Sequence, residues 1–113
     1  MTALRRPNKY GANPTVVDNI RFASAAESRR YSELLVLQRG GVIRNLELQP
    51  VLVYYGKGNV PLFKYLADFA YFEAGGGRVY EDVKSKPTST PVYRLKKKLI
   101  ENQYHIEIRE VQA

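Results

Sequence analysis

The chain has 113 residues, 44% of them hydrophobic, and its eighteen Lys and Arg outnumber eleven Asp and Glu to give a formal charge of +7. That length argues for one domain with a single modest core, and the apolar content excludes a disordered chain. Cysteine is absent, which excludes disulfides and thiolate metal sites and fits a reducing, cytoplasmic compartment.

No apolar run approaches the roughly 20 residues of a spanning helix, so no membrane partner is expected. The basic balance favours a polyanionic partner, most simply nucleic acid, although a merely soluble basic protein accounts for it about as well. Residues 1–14, "MTALRRPNKYGANP", have basic side chains but no apolar core region. They are expected to form a flexible basic arm rather than a signal peptide, with residues 15–113 as the single domain.

"TVVDNIRF" alternates apolar residues around Asp18-Asn19, the pattern of a short hairpin. "SAAESRRYSELLVLQRGG" predicts a helix, with Ser24 as N-cap, Glu27 closing a capping box and Gly40-Gly41 ending it. At 100° per residue, Tyr31, Leu34, Leu35 and Leu37 form one apolar arc. Glu27 falls near the middle of that arc, at its N-terminal end. Beyond the helix, "IRNLELQPVLVYYG" is expected to be extended and "GKGN" to turn. "LFKYLADFAYFE" is a second β-rich run and "RVYEDVK" a third, joined by "AGGG". Three consecutive strands with tight connections should pair antiparallel.

Thr90 as N-cap and Pro91 at the first helical position start a second helix, "PVYRLKKKLIEN", with Val92, Leu95 and Leu99 on one face. "YHIEIREV" closes the chain as a strand in which Tyr104, Ile106 and Ile108 alternate with His105, Glu107 and Arg109. The expected fold is α/β (α+β): a short N-terminal hairpin, then helix–three strands–helix–strand, with a mixed central sheet flanked by helices.

Three acids and a lysine could carry chemistry. Asp82-Val83-Lys84 is an Asp-x-Lys triplet, a pattern that chance supplies about once in two or three chains of this length. Its bland explanation is a surface ion pair. Asp68, in "LADFAY", would be costly to bury unless paired or bound to a metal; a strand-end Asp paired with a neighbouring Arg or Lys fits equally well. Glu27 is explained completely by the capping box, except that it lies on the buried arc.

Taken together they read differently. Two antiparallel strands can bring Asp68 beside Asp82, and a helix packed on that sheet can aim Glu27 at them. Clustered carboxylates repel unless a cation sits among them, and Mg²⁺ takes one or two carboxylates plus waters and phosphate oxygens. Lys84, on the strand face of Asp82, could orient the attacking water or stabilise charge on the phosphate. Lys86, Arg94, Lys96 and Lys98 are candidates to hold a nucleic-acid backbone at the rim, with Arg5, Arg6 and Lys9 of the arm adding electrostatic contact. Lys97 is read as part of a solvated helix face and His105 as structural or exposed. The nine tyrosines are spread along strands and are assigned mostly to core or interface.

Helix Glu, strand Asp, then Asp-x-Lys, in an order of helix, three strands, helix and strand, resembles the PD-(D/E)xK nuclease superfamily. More closely, the chain is similar to a family of small phage and prophage proteins of largely uncharacterised function whose sequences suggest that nuclease fold. The similarity runs from about Val16 to Glu110 and rests on "VDNIRFASAAESRRYSELLVLQRGGVIRNLELQP", "YLADFAYFE", "EDVK" and "VYRLKKKL", in that order.

The resemblance implies a restriction-endonuclease-like core and an Mg²⁺-dependent endonuclease, with Mn²⁺ as substitute, hydrolysing DNA phosphodiester bonds. It also implies kinship with Holliday junction resolvases and phage recombination nucleases, and hence branched or recombination intermediates as substrates. By motif position Glu27, Asp68 and Asp82 would bind the metal, Lys84 would be the catalytic lysine, and Gln49 in "LELQP" would support them. The chain departs from the pattern at Ala23, where Asp is common, at Ser28, which replaces Ala, and at Ala67, where the superfamily's Pro would stand.

A non-cleaving nucleic-acid-binding module that keeps the fold is the alternative, and a phage assembly protein a third. The intact set of three acids and a lysine favours the enzyme, because a degenerate site would be expected to lose one. DNA is the expected partner, with RNA left open. A symmetric homodimer would suit a junction cutter, which must cut two opposed strands. The expected compartment is the cytoplasm of a bacterial or phage-infected cell.

Overall fold

A computed structural model of the chain describes residues 15–84 and 90–112. The expected arm over residues 1–14, and Lys86, lie outside the described residues. β1 (Thr15–Val17) and β2 (Ile20–Phe22) pair antiparallel across Asp18-Asn19. Both turn residues have positive φ, 53° and 63°. Such a two-residue turn matches the twist of its strands, and Asp and Asn are the side chains that tolerate it. α1 (Ala25–Arg39) begins where the Ser24 hydroxyl accepts the Glu27 N–H at 3.2 Å, and it ends at Gly40.

The middle of the chain departs from expectation, because each long β run breaks once. "IRNLELQPVLVYYG" divides at Gln49-Pro50 into β3 (Ile43–Leu48) and β4 (Val51–Tyr55). "LFKYLADFAYFE" divides at Ala67-Asp68 into β5 (Pro61–Leu66) and β6 (Phe69–Glu73). Gln49 takes a left-handed φ of 49°, and Pro50 has no N–H to give a sheet. The two breaks lie side by side: the Gln49 N–H donates to the Asp68 carbonyl at 3.0 Å, and the Ala67 N–H to the Pro50 carbonyl at 3.2 Å. β4 and β5, linked through a 3-10 turn at Lys57–Asn59, therefore form an antiparallel hairpin of their own.

The main sheet runs β3-β6-β7-β8, with β7 at Arg78–Lys84 and β8 at Ile108–Gln112. β3, β6 and β7 are antiparallel neighbours; β8 lies parallel to β7, with Asp82 opposite Glu110. The fold is thus mixed α+β with a mixed four-stranded sheet, and a hairpin is inserted between its first two strands. α2 (Pro91–Tyr104) makes the crossover that adds β8, with the Thr90 side chain capping the Tyr93 N–H. Tyr104, expected in the last strand, belongs to this helix. Its hydroxyl donates to the Val53 carbonyl at 2.7 Å, and His105 follows as a left-handed cap.

Alternation along β7 sends Glu81 towards α1 and Asp82 towards α2. One core lies under α1, built from Phe22, Tyr31, Leu34, Ile43, Phe69, Tyr71 and Val79. A smaller one lies under α2 and the β4–β5 hairpin, built from Leu52, Tyr65, Ala67, Ile100 and Ile108. The buried face of α2 is also rotated from the expected one. Val92 and Leu95 are exposed, whereas Ile100 is fully buried and Tyr93 turns inward. Among the described residues no helix is long and apolar enough to cross a membrane.

Candidate functional site

The break at Ala67-Asp68 places an acid against the next strand. The Asp68 N–H donates to the Glu81 carbonyl at 2.9 Å, and its Oδ2 accepts the Val83 N–H at 2.7 Å. Asp68 therefore grips β7 on both sides of Asp82. Asp82 is only 4% exposed. Its Oδ2 accepts hydrogen bonds from the Tyr65 hydroxyl of β5 and, at 2.9 Å, from the Tyr93 hydroxyl of α2. Two residues on, the Lys84 Nζ lies 3.8 Å from the centroid of the Tyr93 ring. Asp68, Asp82 and Lys84 line one cleft of about 650 Å³, whose walls include Lys64, Tyr65, Tyr93 and Lys96.

Burial, reinforced by the Asp82 charge, holds the phenols of Tyr65 and Tyr93 far above their usual range, so both act as neutral donors. Tyr93 also reaches Glu110 Oε2 at 3.1 Å, and Lys97 meets the same oxygen at 3.3 Å. Burial pushes the Glu110 carboxyl up, but the bond to Lys97 and its charge outweigh it, leaving this acid below the ordinary carboxylate range. Among the described residues no ion pair joins Asp82 to Lys84. The bland reading of the triplet, a surface pair, is therefore overturned by the burial of Asp82 and the seat of Lys84 on a ring.

Glu27 stands elsewhere. It is buried on α1, and it is not among the residues lining the cleft. The carboxylate that β7 turns towards α1 is Glu81. It is fully buried and held by Arg30 through Nε at 2.9 Å and Nη2 at 2.7 Å, with the Tyr71 hydroxyl on Oε2. Of the four residues expected to carry the chemistry, the cleft thus gathers two acids, Asp68 and Asp82, and Lys84. Among the described residues, no group of three or more His, Asp or Glu side chains is placed to hold a metal ion. Two carboxylates still suit Mg²⁺, which completes its shell with water and phosphate oxygens.

A family model described as "Protein of unknown function (DUF1064)" matches residues 7–112. The chain belongs to the DUF1064 family. No curated protein and no solved structure matches it.

The other candidate residues of this DUF1064 chain divide by distance from the cleft. Lys96 lines it, with its Nζ 5.3 Å from the Phe63 ring centroid. Arg94 and Lys98 are exposed along α2 and do not line it. Gln49 is tied by its backbone to Asp68, so its place beside the site comes from the paired chain breaks. Lys64, Tyr65 and Tyr93 also line the cleft, although sequence alone does not single them out. Tyr65 and Lys64 reach the cleft only because the β4–β5 hairpin leaves the main sheet. Tyr93 carried one usable signal: it stands in the first turn after a Thr-Pro cap, nine residues beyond Lys84 and close to where α2 must meet β7.

Proposed function

We propose that the chain is a metal-dependent endonuclease with a restriction-endonuclease-like core, hydrolysing phosphodiester bonds of DNA, including branched recombination intermediates. The observation that carries this reading is the shared cleft of Asp68, Asp82 and Lys84, in which acid and lysine do not neutralise each other. Asp68 and Asp82 would hold Mg²⁺, or Mn²⁺ in its place. When bound, such an ion supplies positive charge for the phosphate and lowers the pKa of a water.

Lys84 stabilises the negative charge that grows on the phosphate oxygens. Lys64 and Lys96 hold the nucleic-acid backbone at the cleft walls, while Arg94 and Lys98 extend that contact along α2 and Lys86 adds to it. Gln49 supports Asp68, and Glu27 is assigned to the start of α1 rather than to the metal. A junction cutter must make two opposed cuts, so a symmetric homodimer belongs to this reading.

A non-cleaving binding module is the second reading, favoured by the presence of only two acids in the cleft. Cleavage of linear and four-way-junction DNA with Mg²⁺, Mn²⁺ or EDTA separates the two. The wild-type protein should cut with either metal and not with EDTA. Asp82→Ala and Lys84→Ala should each lower cleavage by about 10²-fold or more, on the scale of losing one charge-stabilising group, while DNA binding persists. Glu27→Gln should leave Mn²⁺ affinity unchanged. A wild-type protein that binds DNA but cuts none with either metal makes the binding module the better account.

A further inference from the structure

Asp82 and Lys84 share one face of β7 and carry opposite charges, yet they do not pair. Tyr93 stands between their charged groups. Its hydroxyl donates to Asp82 Oδ2 at 2.9 Å, closer than its 3.1 Å contact with Glu110, and its ring faces the Lys84 ammonium at 3.8 Å. Tyr65 brings a second phenol to the same Oδ2, its ring tilted against Tyr93 with centroids 6.2 Å apart. Two donors on one oxygen fix the plane of the carboxylate and leave Oδ1 as its acceptor for a cation. The backbone holds Tyr93 in place as well, since its N–H bonds the Thr90 side chain at 3.1 Å in the first turn of α2.

We propose that Tyr93 is a positioning residue of the cleft, holding the Asp82 carboxylate and the Lys84 ammonium apart so that each faces the phosphate and its metal uncompensated. The inference rests on the endonuclease reading of the same cleft. One side chain performs both tasks through different parts: the hydroxyl for the acid, the ring face for the lysine. Phenylalanine at this position would keep the ring and lose the hydroxyl. Asp82 would then be able to turn towards Lys84, and the direct pair that the wild type avoids would compete with a cation.

The test is Mn²⁺ binding by the full chain without DNA, followed by electron paramagnetic resonance, in a cycle of wild type, Tyr93→Phe, Lys84→Met and the double variant. Tyr93→Phe should weaken Mn²⁺ binding about 10-fold or more, the usual effect of losing a hydrogen-bond partner of a metal ligand. Lys84→Met should restore most of that loss in the Tyr93→Phe background while changing the wild type far less. A purely structural tyrosine would show no such rescue. Equal Mn²⁺ affinity in wild type and Tyr93→Phe, or no rescue by Lys84→Met, overturns the inference alone.

Wild-type protein that binds no Mn²⁺ overturns the endonuclease reading and this inference with it. A further measurement needs no variant: the Lys84 ε-methylene protons of the wild type should show an upfield ring-current shift in NMR spectra. Unshifted protons there overturn the proposed seat even if Tyr93→Phe fails to fold.

Discussion

Two neighbouring acids of β7 have opposite surroundings, and that difference decides what each can do. Glu81 is enclosed by Arg30 and Tyr71, whereas Asp82 opens on a cleft beside Lys84. The Tyr71 phenol shows the consequence of enclosure. Burial first, then its hydrogen bond to Glu81, push it up to about 12, against about 10 for a tyrosine in an unfolded chain. The folded pKa is raised, so the stabilisation of the neutral phenol is fully present below pH 10 and is lost as pH climbs towards 12. Urea unfolding of the wild type should lose on the order of 2 kcal/mol through this group across that window. Tyr71→Phe should start less stable, having left Glu81 short of a donor, and should decline less steeply between pH 10 and 12.

At this scale the grouping of Asp68, Asp82 and Lys84 in one cleft was legible, because carboxylates in a β-rich run demand an explanation. Tyr65 and Tyr93 were not, because a tyrosine on a strand or helix is ordinarily accounted for by packing alone.

At the scale of elements, legibility followed locality. The turn at Asp18-Asn19, the Ser24 cap and the Thr90-Pro91 start depend on residues within a few positions of one another, and all are present as the sequence predicts. The breaks at Gln49-Pro50 and Ala67-Asp68 depend on each other across the fold. Pro50, which has no N–H for a sheet, and Ala67-Asp68, which are poor strand formers, weaken each run in sequence, but the pairing of the two breaks shows only in the hydrogen bonds between them. The inward face of α2 differs from the expected one for a related reason. Val92, Leu95 and Leu99 form an apolar stripe, but the partners that the cleft and hairpin offer are taken up by Tyr93 and Tyr104.

The clasp between α1 and β7 is likewise non-local, Arg30 meeting Glu81 fifty-one positions away. Removing one partner of a buried pair leaves an uncompensated charge and costs about 3–5 kcal/mol. Arg30→Met should therefore lower the urea midpoint sharply. Arg30→Met with Glu81→Met, which removes both charges, should recover most of that loss. A single variant as stable as the wild type would show that the clasp contributes nothing to holding β7.

Over the whole molecule, a net charge of +7 coexists with a cleft whose floor is acidic. The lysines that offset that floor come from separate elements: Lys64 from the inserted hairpin, Lys84 from the main sheet and Lys96 from α2. A polyanion that settles there meets all three, and Arg94 and Lys98 continue the basic surface along the helix. Each phosphate so neutralised releases counterions, contributing about −0.9 to the slope of log K against log salt on duplex DNA. DNA affinity should accordingly fall steeply as salt rises.

Replacing Arg94 and Lys98 together by Ala should weaken binding and flatten the slope by up to about 2, one increment for each lost phosphate contact. The thermal midpoint of the double variant, measured alongside, separates a lost phosphate contact from a lost fold. Fluorescence anisotropy of labelled duplex DNA across a salt series gives the slope directly. A slope unchanged by the double replacement would confine the DNA contact to Lys64, Lys84 and Lys96 in the cleft. An affinity independent of salt would remove the basic surface from the account of binding altogether.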